Sequence, residues 1–110
     1  MIFDIISIFP EMLKGFLNWG LVAQARKERK VKVGLWDLRD FAEGKRKEVD
    51  DRPYGGGPGM VLKPEPIFRA VEAVKAGRGG GHVILMSARG SLLDQDRVRN
   101  LSAKENLIII

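Results

Sequence analysis

Two apolar runs near the end of the sequence decide the fold: HVILM at residues 82–86 and LIII at residues 107–110. Neither run alternates between apolar and polar residues, which is typical of a strand buried on both faces of a sheet. Between them, residues 93–101 carry apolar side chains at helical spacing. Strands that alternate with helices, the last two strands being apolar on both faces, predict a mostly parallel sheet covered by helices.

The first forty residues show the same alternation of strand and helix. Residues 2–8 are short, β-branched and apolar, and they predict a buried first strand. Apolar residues recur at helical spacing over residues 12–17, but nearby glycines weaken the pattern. We therefore expect one broken helix or two short helices up to about residue 29. Residues 31–38 alternate well enough to predict a second strand.

The second half of the sequence opens on a long irregular stretch. Residues 39–58 have few apolar side chains and many charges, and they predict a loop that is functional or disordered. Residues 60–62 are compatible with a very short strand. Prolines at 64 and 66 open a helix whose apolar face is expected to hold Ile67, Phe68, Val71 and Val74. Glycines over residues 77–81 are expected to end it in a loose surface turn without function.

Together these elements predict an α/β fold, a mostly parallel sheet with flanking helices. Trp19, Trp36 and the phenylalanines fall at positions compatible with the core. The last apolar run is also the end of the sequence, although a buried central strand normally leads into a polar turn. The expectation from this ending is a fragment of a longer protein.

Composition narrows the class of protein. A length of 110 residues allows one compact domain, and the absence of cysteine excludes disulfides and thiolate metal sites. An acid at Asp4 and the lack of a basic leader argue against a signal peptide. No apolar run approaches the roughly 20 residues needed to span a bilayer. We expect a cytoplasmic protein without a membrane partner.

The net charge of +5 and the pI near 9.8 favour a polyanionic partner, although solubility alone is an adequate explanation of such a charge. Basic residues concentrate over residues 26–32 and 45–52, with acids interleaved. This pattern predicts a solvated surface with a basic excess rather than a disordered tail.

The segment Ser87-Ala88-Arg89-Gly90 directly follows a predicted strand and precedes a predicted helix. In open α/β sheets, ligands bind at the carboxyl ends of the strands, where loops leave backbone groups free. The segment therefore predicts a small-molecule site formed by main-chain groups over residues 85–90. A plain strand-to-helix connection, with Gly90 serving a turn, is the alternative.

A second segment, PYGGGPG at residues 53–59, has neither the Lys-Ser/Thr of a phosphate-binding loop nor the spacing of a dinucleotide fingerprint. Clustered glycines let a ligand or another backbone approach closely, and the prolines stiffen the loop. Before it, Asp50, Asp51 and Arg52 can position a base, hold magnesium through water, or form a surface ion cluster. Tyr54 is placed to stack on a base. His82 has no ligand partner at metal-binding spacing, so we interpret it as structural.

These motifs, read together, resemble one known family. The run VDDRPYGGGPGM at residues 49–60 closely resembles the signature of the bacterial tRNA (guanine-N1)-methyltransferases. ISIFPEM at 6–12, Trp36 with RDF at 39–41, and LDQ at 93–95 are in register with it. The resemblance spans essentially the whole chain. Ala88 departs from it, because family members commonly carry proline there, and this predicts a less rigid loop.

The resemblance implies a SPOUT-type fold, whose parallel sheet is threaded into a trefoil knot, here truncated before the knot is complete. Residues 1–110 would be the N-terminal part of the cofactor-binding methyltransferase domain, without the C-terminal tRNA-binding domain. The implied activity is methyl transfer from S-adenosylmethionine to N1 of guanosine 37 of tRNA, just 3′ of the anticodon. The implied assembly is a homodimer with the active site at the interface.

The resemblance also assigns residues by position. Its cofactor site would be lined by Leu85, Met86, Ser87, Ala88 and Gly90. The wall facing cofactor and target base would comprise Asp50, Arg52, Tyr54, Gly55, Gly56, Gly57, Pro58 and Gly59. The family's catalytic aspartate and its arginine partner would lie beyond residue 110, so this chain alone would be inactive. No metal site is implied, and magnesium is left open as a second cofactor.

Three alternatives stay open. One is a non-catalytic RNA-binding module that contacts phosphates through residues 45–52, with steep salt dependence and no need for S-adenosylmethionine. Another is a different nucleotide-binding α/β enzyme that uses residues 87–90 and leaves the glycine segment unexplained. The third is a longer, intact enzyme of which this chain is one part.

Overall fold

A computed structural model describes all residues from 1 to 110. The chain forms six strands, four α-helices and one 3-10 helix. In chain order these are β1 (Ile2–Ser7), α1 (Pro10–Leu17), α2 (Gly20–Lys27), β2 (Lys32–Asp37), a 3-10 helix (Leu38–Phe41), β3 (Asp50–Asp51), β4 (Val61–Leu62), α3 (Pro64–Arg78), β5 (His82–Ile84), α4 (Gln95–Ser102) and β6 (Asn106–Ile109).

The main sheet has four strands in the order β2-β1-β6-β5, and every neighbouring pair is parallel. β1 lies between β2 and β6, with Ile2 opposite both Lys32 and Asn106. This arrangement confirms the predicted parallel α/β fold. The two apolar runs of the second half are neighbours in it, with His82 opposite Leu107.

The core lies between one face of this sheet and the helix α3, which packs on the 3-10 helix and on β6. Its buried apolar side chains are Ile6, Leu38, Val49, Ala70, Val74 and Ile108. Pro66, Ala70 and Val74 are the buried residues of α3, whereas Phe68 is 67% exposed. The predicted helix is therefore confirmed, but Phe68 is not on its buried face.

A charged residue lies within the central strand. Asp4 is fully buried, and its carboxylate accepts two hydrogen bonds of 3.0 Å from Arg78 and one of 2.8 Å from Trp36 Nε1. Gly34 makes room for this carboxylate, because a Cβ there would collide with Asp4 Oδ1. A buried charge is costly unless it is paired and hydrogen-bonded, and Asp4 meets both conditions.

Hydrogen bonds to Asp4, and then its charge, raise the pKa of Arg78 above the ordinary arginine value. A group with a raised pKa stabilises the fold below its ordinary pKa and loses that effect only as pH rises through the raised one. Arg78 therefore keeps its charge, and the ion pair with Asp4 persists, until the solution is strongly alkaline.

The glycine run at residues 77–81 is mostly exposed, with one close contact at its end. Gly79 ends the helix in the left-handed conformation with φ of 73°, where glycine carries no Cβ penalty. At Gly81 a Cβ would lie 2.8 Å from Ile108 Cδ1 on β6. The run therefore ends the helix at the surface as predicted, and only its last residue, Gly81, is held closely against the sheet.

Several aromatic side chains expected in the core lie on the surface instead. Phe16 is 66% exposed and Trp19 is 79% exposed, and Phe9 is also exposed. Only Trp36 and Phe41 pack against the core. The periodicity of α1 and α2 predicted two short helices correctly, but these residues face away from the sheet.

The stretch expected to be one long irregular loop is partly ordered. It contains the 3-10 helix and the two-residue strand β3, which pairs with β4 in a small antiparallel hairpin. Val49, just before β3, is 1% exposed and belongs to the core. The helices of the structure are all too short or too polar to cross a bilayer.

Candidate active site

The carboxyl ends of the parallel strands meet at one edge of the sheet, and the segment 85–90 leaves from that edge. β5 is the outermost strand and ends at Ile84. Pairing with the end of the chain continues a little further, because Met86 N donates to Ile110 O and Ile110 N donates to Ile84 O, each at 2.9 Å. These bonds place Leu85 and Met86 beside the end of β6.

Leu85 and Met86 are 66% and 67% exposed. The sequence predicted that both belong to a buried strand, and this prediction is wrong. The physical reason is that β5 is an edge strand with a neighbour on one side only. Two exposed apolar side chains at the ligand-binding edge form a surface suited to the face of an aromatic or apolar ligand.

Residues 87–90 form a tight turn in which Gly90 N donates to Ser87 O at 3.0 Å and Arg89 N donates to Ser87 Oγ at 3.2 Å. The backbone N–H groups of Ser87 and Ala88 have no acceptor in the chain. A Cβ on Gly90 would lie 3.0 Å from Ser87 O, so glycine fits the turn closely. The five predicted cofactor residues are thus grouped in one exposed loop, with free donors beside apolar side chains.

The glycine segment is the tip of the β3-β4 hairpin. Asp50 pairs with Leu62 in register, and Lys63 N donates to Val49 O at 2.7 Å. Gly55, Gly56 and Gly59 have φ between 78° and 90°, which is the region that favours glycine. The hairpin is therefore held to the core at its base, by Val49, while its tip carries no side chains that block a close approach.

All predicted wall residues lie on this hairpin, so the structure brings them into one segment. Asp50 is half-buried, and Arg52 and Tyr54 are exposed, Tyr54 completely. Arg52 and Tyr54 also line a groove of about 370 Å³ between the hairpin and the start of α3. Its charged lining residues include Glu43, Glu48, Asp51, Lys63, Glu65 and Arg69.

Sequence reasoning did not assign Lys63 or Arg69 to this groove. Lys63 directly precedes α3 and Arg69 lies within it, and nothing in the local sequence places either residue against the hairpin. For Asp51 the sequence allows base positioning, magnesium binding or a surface ion cluster. In the structure its Oδ1 accepts a hydrogen bond from Arg52 N at 2.7 Å. The mixed charges make this groove a polar wall rather than an anion site.

No hydrogen bond or ion pair joins the loop 85–90 to the hairpin 50–62. The predicted cofactor residues lie together on the loop, and the predicted wall residues lie together on the hairpin. No polar contact fixes the position of the loop relative to the hairpin. The chain also contains no cluster of three histidine, cysteine or carboxylate side chains able to hold a metal ion. His82 is exposed at the start of β5, so it does not pack in the core.

A parallel α/β sheet with an exposed loop at its carboxyl edge defines the class of small-ligand-binding α/β domains. Within that class the assignment is specific. A family model described as tRNA (Guanine-1)-methyltransferase TrmD matches residues 1–110, and the chain belongs to this family.

Named relatives agree with the family. The chain is 44% identical over 107 residues to a tRNA (guanine-N(1)-)-methyltransferase of Thermosipho africanus, covering 97% of the chain and 44% of the relative. It is 47% identical over 107 residues to one of Dictyoglomus turgidum, covering 97% and 43%. The crystal structure of tRNA (m1G37) methyltransferase from Aquifex aeolicus matches all of the chain and 50% of that protein, with 43% identity and a TM-score of 0.91. The chain therefore spans about half the length of these relatives.

Proposed function

We propose that the protein containing this chain transfers a methyl group from S-adenosylmethionine to N1 of guanosine 37 in tRNA. In this proposal, residues 1–110 are the N-terminal part of the cofactor-binding domain. The rest of a SPOUT-type fold, with its trefoil knot, and a C-terminal tRNA-binding domain belong to the other half. The family model and the names of the relatives support this reaction.

The observation that carries the proposal is the loop at the carboxyl edge of the sheet. Leu85 and Met86 offer apolar surface, and the free N–H of Ser87 offers a hydrogen-bond donor beside it. An adenosine group has an aromatic face and polar ring edges, so this donor set fits it. Ala88 and Gly90 complete the site by forming the turn. S-adenosylmethionine, when bound there, supplies a methyl group activated by the positive charge on its sulfur.

Methylation of guanine N1 requires catalytic groups in addition to the binding groups on this chain. N1 of guanine carries a proton, so a general base must remove it as the methyl group arrives. A cation must also stabilise the negative charge that grows on the neighbouring O6. We assign these tasks to an aspartate and an arginine beyond residue 110. In this scheme residues 1–110 bind and orient the cofactor and the target base, and the isolated chain is inactive.

The hairpin is proposed as the wall that meets the cofactor and the target base. Tyr54 exposes its whole ring for stacking on a base, and Gly55 to Gly59 allow the ribose or base to approach the backbone. Asp50 and Arg52 supply hydrogen-bonding groups of opposite charge at its base. Magnesium remains part of the proposal as a second cofactor, and Asp50 and Asp51 are the carboxylates on this hairpin that could hold it through water.

We propose a homodimer with its active site at the interface, in which the other half of the protein and the second copy cover the large exposed surface of this chain. The accessible area is 8461 Å², whereas about 6,100 Å² is typical of a compact monomer of this mass. The radius of gyration is 15.4 Å, against about 13 Å expected. Large exposed apolar side chains, such as those of Met12, Phe16 and Leu21, need a partner surface. We place the protein in the cytoplasm with its tRNA substrate.

A chimera tests the reaction. Residues 1–110 replace the matching half of the Aquifex aeolicus enzyme, and transfer of a labelled methyl group is measured on tRNA transcripts with guanosine or adenosine at position 37. We expect methylation of the guanosine transcript only. Gly90→Val should abolish binding of S-adenosylhomocysteine in calorimetry, because the added side chain crowds Ser87 O.

Gly77→Val is the matched control, since a Cβ at Gly77 has no neighbour within 4 Å. It should retain both methylation and binding. A folded chimera that binds tRNA but neither binds S-adenosylhomocysteine nor methylates would contradict the proposal. That result would favour the non-catalytic RNA-binding module instead.

A further inference from the structure

The turn between α2 and β2 carries a cluster of positive charge, which we call the basic rim: Lys27, Arg29, Lys30 and Lys32. It borders a groove of about 800 Å³ beneath α2. The groove is lined by three cations and no acid, namely by Leu17, Asn18, Gly20, Ala23, Gln24, Arg26, Lys27, Val31, Lys32 and Val33. A concave surface with charge of one sign concentrates counter-ions of the opposite sign.

Most of the charge on the basic rim is not neutralised within the chain. Arg26, inside the groove, is occupied, since its Nη1 donates to Leu17 O at 2.7 Å and to Asn18 Oδ1 at 3.2 Å. Lys30 pairs with Glu28 at 2.6 Å. In contrast, Lys27, Arg29 and Lys32 have neither an acid within 4.0 Å nor a side-chain hydrogen bond.

The backbone at Arg29 adds an independent observation. Its φ is 56°, a left-handed conformation that glycine adopts without steric cost and arginine does not. The turn itself is held by backbone bonds from Arg29 N to Arg26 O and from Lys30 N to Ala25 O. The turn does not itself require an arginine, and Arg29 adds one positive charge to the basic rim.

An exposed aromatic residue is the chain neighbour of two residues that line the groove. Trp19 stands between the lining residues Asn18 and Gly20 and is 79% exposed. Cations along a groove together with an exposed aromatic ring are the features by which proteins bind unpaired nucleic acid, through phosphate contacts and base stacking.

The basic rim is separate from the candidate active site. Lys32 lies opposite Ile2 at the amino end of the sheet, whereas residues 85–90 leave from the carboxyl end. The six residues of β2 span about 20 Å along the strand. β2 and β5 are also the two opposite outer strands of the sheet.

We propose that the basic rim binds the phosphate backbone of the RNA substrate at a point remote from the methylated base. The inference rests on the proposed function for the identity of the RNA. In it, Lys27, Arg29 and Lys32 contact phosphates, and Trp19 accepts an unpaired base. This contact adds affinity and orientation without taking part in the chemistry.

The test compares two triple variants of the full 110-residue chain for binding to a tRNA transcript over 50–200 mM salt. One is Lys27→Gln/Arg29→Gln/Lys32→Gln. The control, Lys14→Gln/Lys75→Gln/Arg97→Gln, removes the same charge from exposed sites on other helices. Loss of three phosphate contacts should make the slope of log affinity against log salt about 2 units less steep and weaken binding at low salt on the order of tenfold.

The control triple should retain the slope of the unchanged chain, and both variants should keep its unfolding temperature. Equal slopes for the two triples, or no binding of tRNA by the unchanged chain, would overturn the inference. Equal losses on duplex DNA or on anionic phospholipid vesicles would also overturn it, because the basic rim would then be a general polyanion surface. Methylation by the chimera is measured separately and tests the proposed reaction. If the chimera methylates tRNA but the two triple variants have equal salt slopes, the inference about the basic rim fails and the proposed reaction stands.

Discussion

At the scale of single residues, Asp4 and Gly34 show how much depends on a partner that is distant in sequence. An aspartate within an apolar strand looks like an interruption, and a glycine in β2 looks like a weak strand former. In the structure the glycine leaves space for the carboxylate, which accepts hydrogen bonds from Trp36 and from Arg78, 74 positions away. Neither residue alone predicts this cluster.

Gly34→Ala should destabilise the chain by about 1–3 kcal/mol, because the new Cβ displaces Asp4 Oδ1 and crowds Trp36 Nε1 at 3.1 Å. Gly77→Ala, in the open last turn of α3, should instead stabilise it by about 0.5 kcal/mol through helix propensity. Urea unfolding of both variants measures the two free energies. A neutral Gly34→Ala would show that the Asp4 cluster is loosely packed.

At the scale of elements, periodicity predicted which segments are helices and strands but not which faces are covered. The pattern of α3 was correct, yet Phe68 is exposed and the smaller Ala70 is buried. The run at 82–86 was read as one buried strand, yet only its first three residues form β5. Its edge position follows from the strand order, which no local pattern contains.

The turn at 87–90 permits a test of loop rigidity. Ala88 occupies the second position of this turn, which favours proline, and its N–H has no acceptor in the chain. Ala88→Pro should therefore stabilise the turn by about 0.4–1 kcal/mol and tighten S-adenosylhomocysteine binding by the chimera about two- to fivefold.

Arg89→Pro is the matched control one residue later. It removes the N–H that donates to Ser87 Oγ, so it should weaken the turn and the binding. Calorimetric titration of both variants gives the comparison. If Ala88→Pro weakens binding as much as Arg89→Pro, then the Ala88 N–H contacts the ligand, and the turn is not the source of the effect.

At the scale of the whole molecule, the chain buries little of itself. Only 10 of its 110 residues are buried, and the accessible area exceeds that of a typical compact monomer by about 2,400 Å². An excess of this size is comparable to the surface that one partner contributes to a large obligate interface. Exposed apolar side chains such as those of Met12 and Phe16 therefore form surfaces suited to contact with further protein.

The isolated chain should accordingly self-associate. Sedimentation equilibrium at tens of micromolar should give a mass above 12.3 kDa that rises with concentration, and the apolar dye ANS should bind. Met12→Ser/Phe16→Ser should lower both signals while changing the unfolding free energy by less than about 0.5 kcal/mol, because both side chains are exposed.

Leu17→Ser is the contrasting variant, since Leu17 is 5% exposed and its loss should destabilise the fold strongly. A strictly monomeric chain of 12.3 kDa that binds no dye would contradict the prediction. It would mean that the exposed apolar residues rearrange to cover one another in solution.

The sequence by itself determined the mostly parallel α/β class, the helical character of residues 12–29, and the family to which the chain belongs. These depend on local periodicity and on uninterrupted motifs such as residues 49–60, which need no knowledge of distant contacts. The tertiary structure decided the strand order, the pairing of Asp4 with Arg78, the exposure of Leu85 and Met86, and the free charge of the basic rim. Each of these is set by which segments become neighbours in space, and burial and ion pairing are properties of neighbours rather than of sequence position.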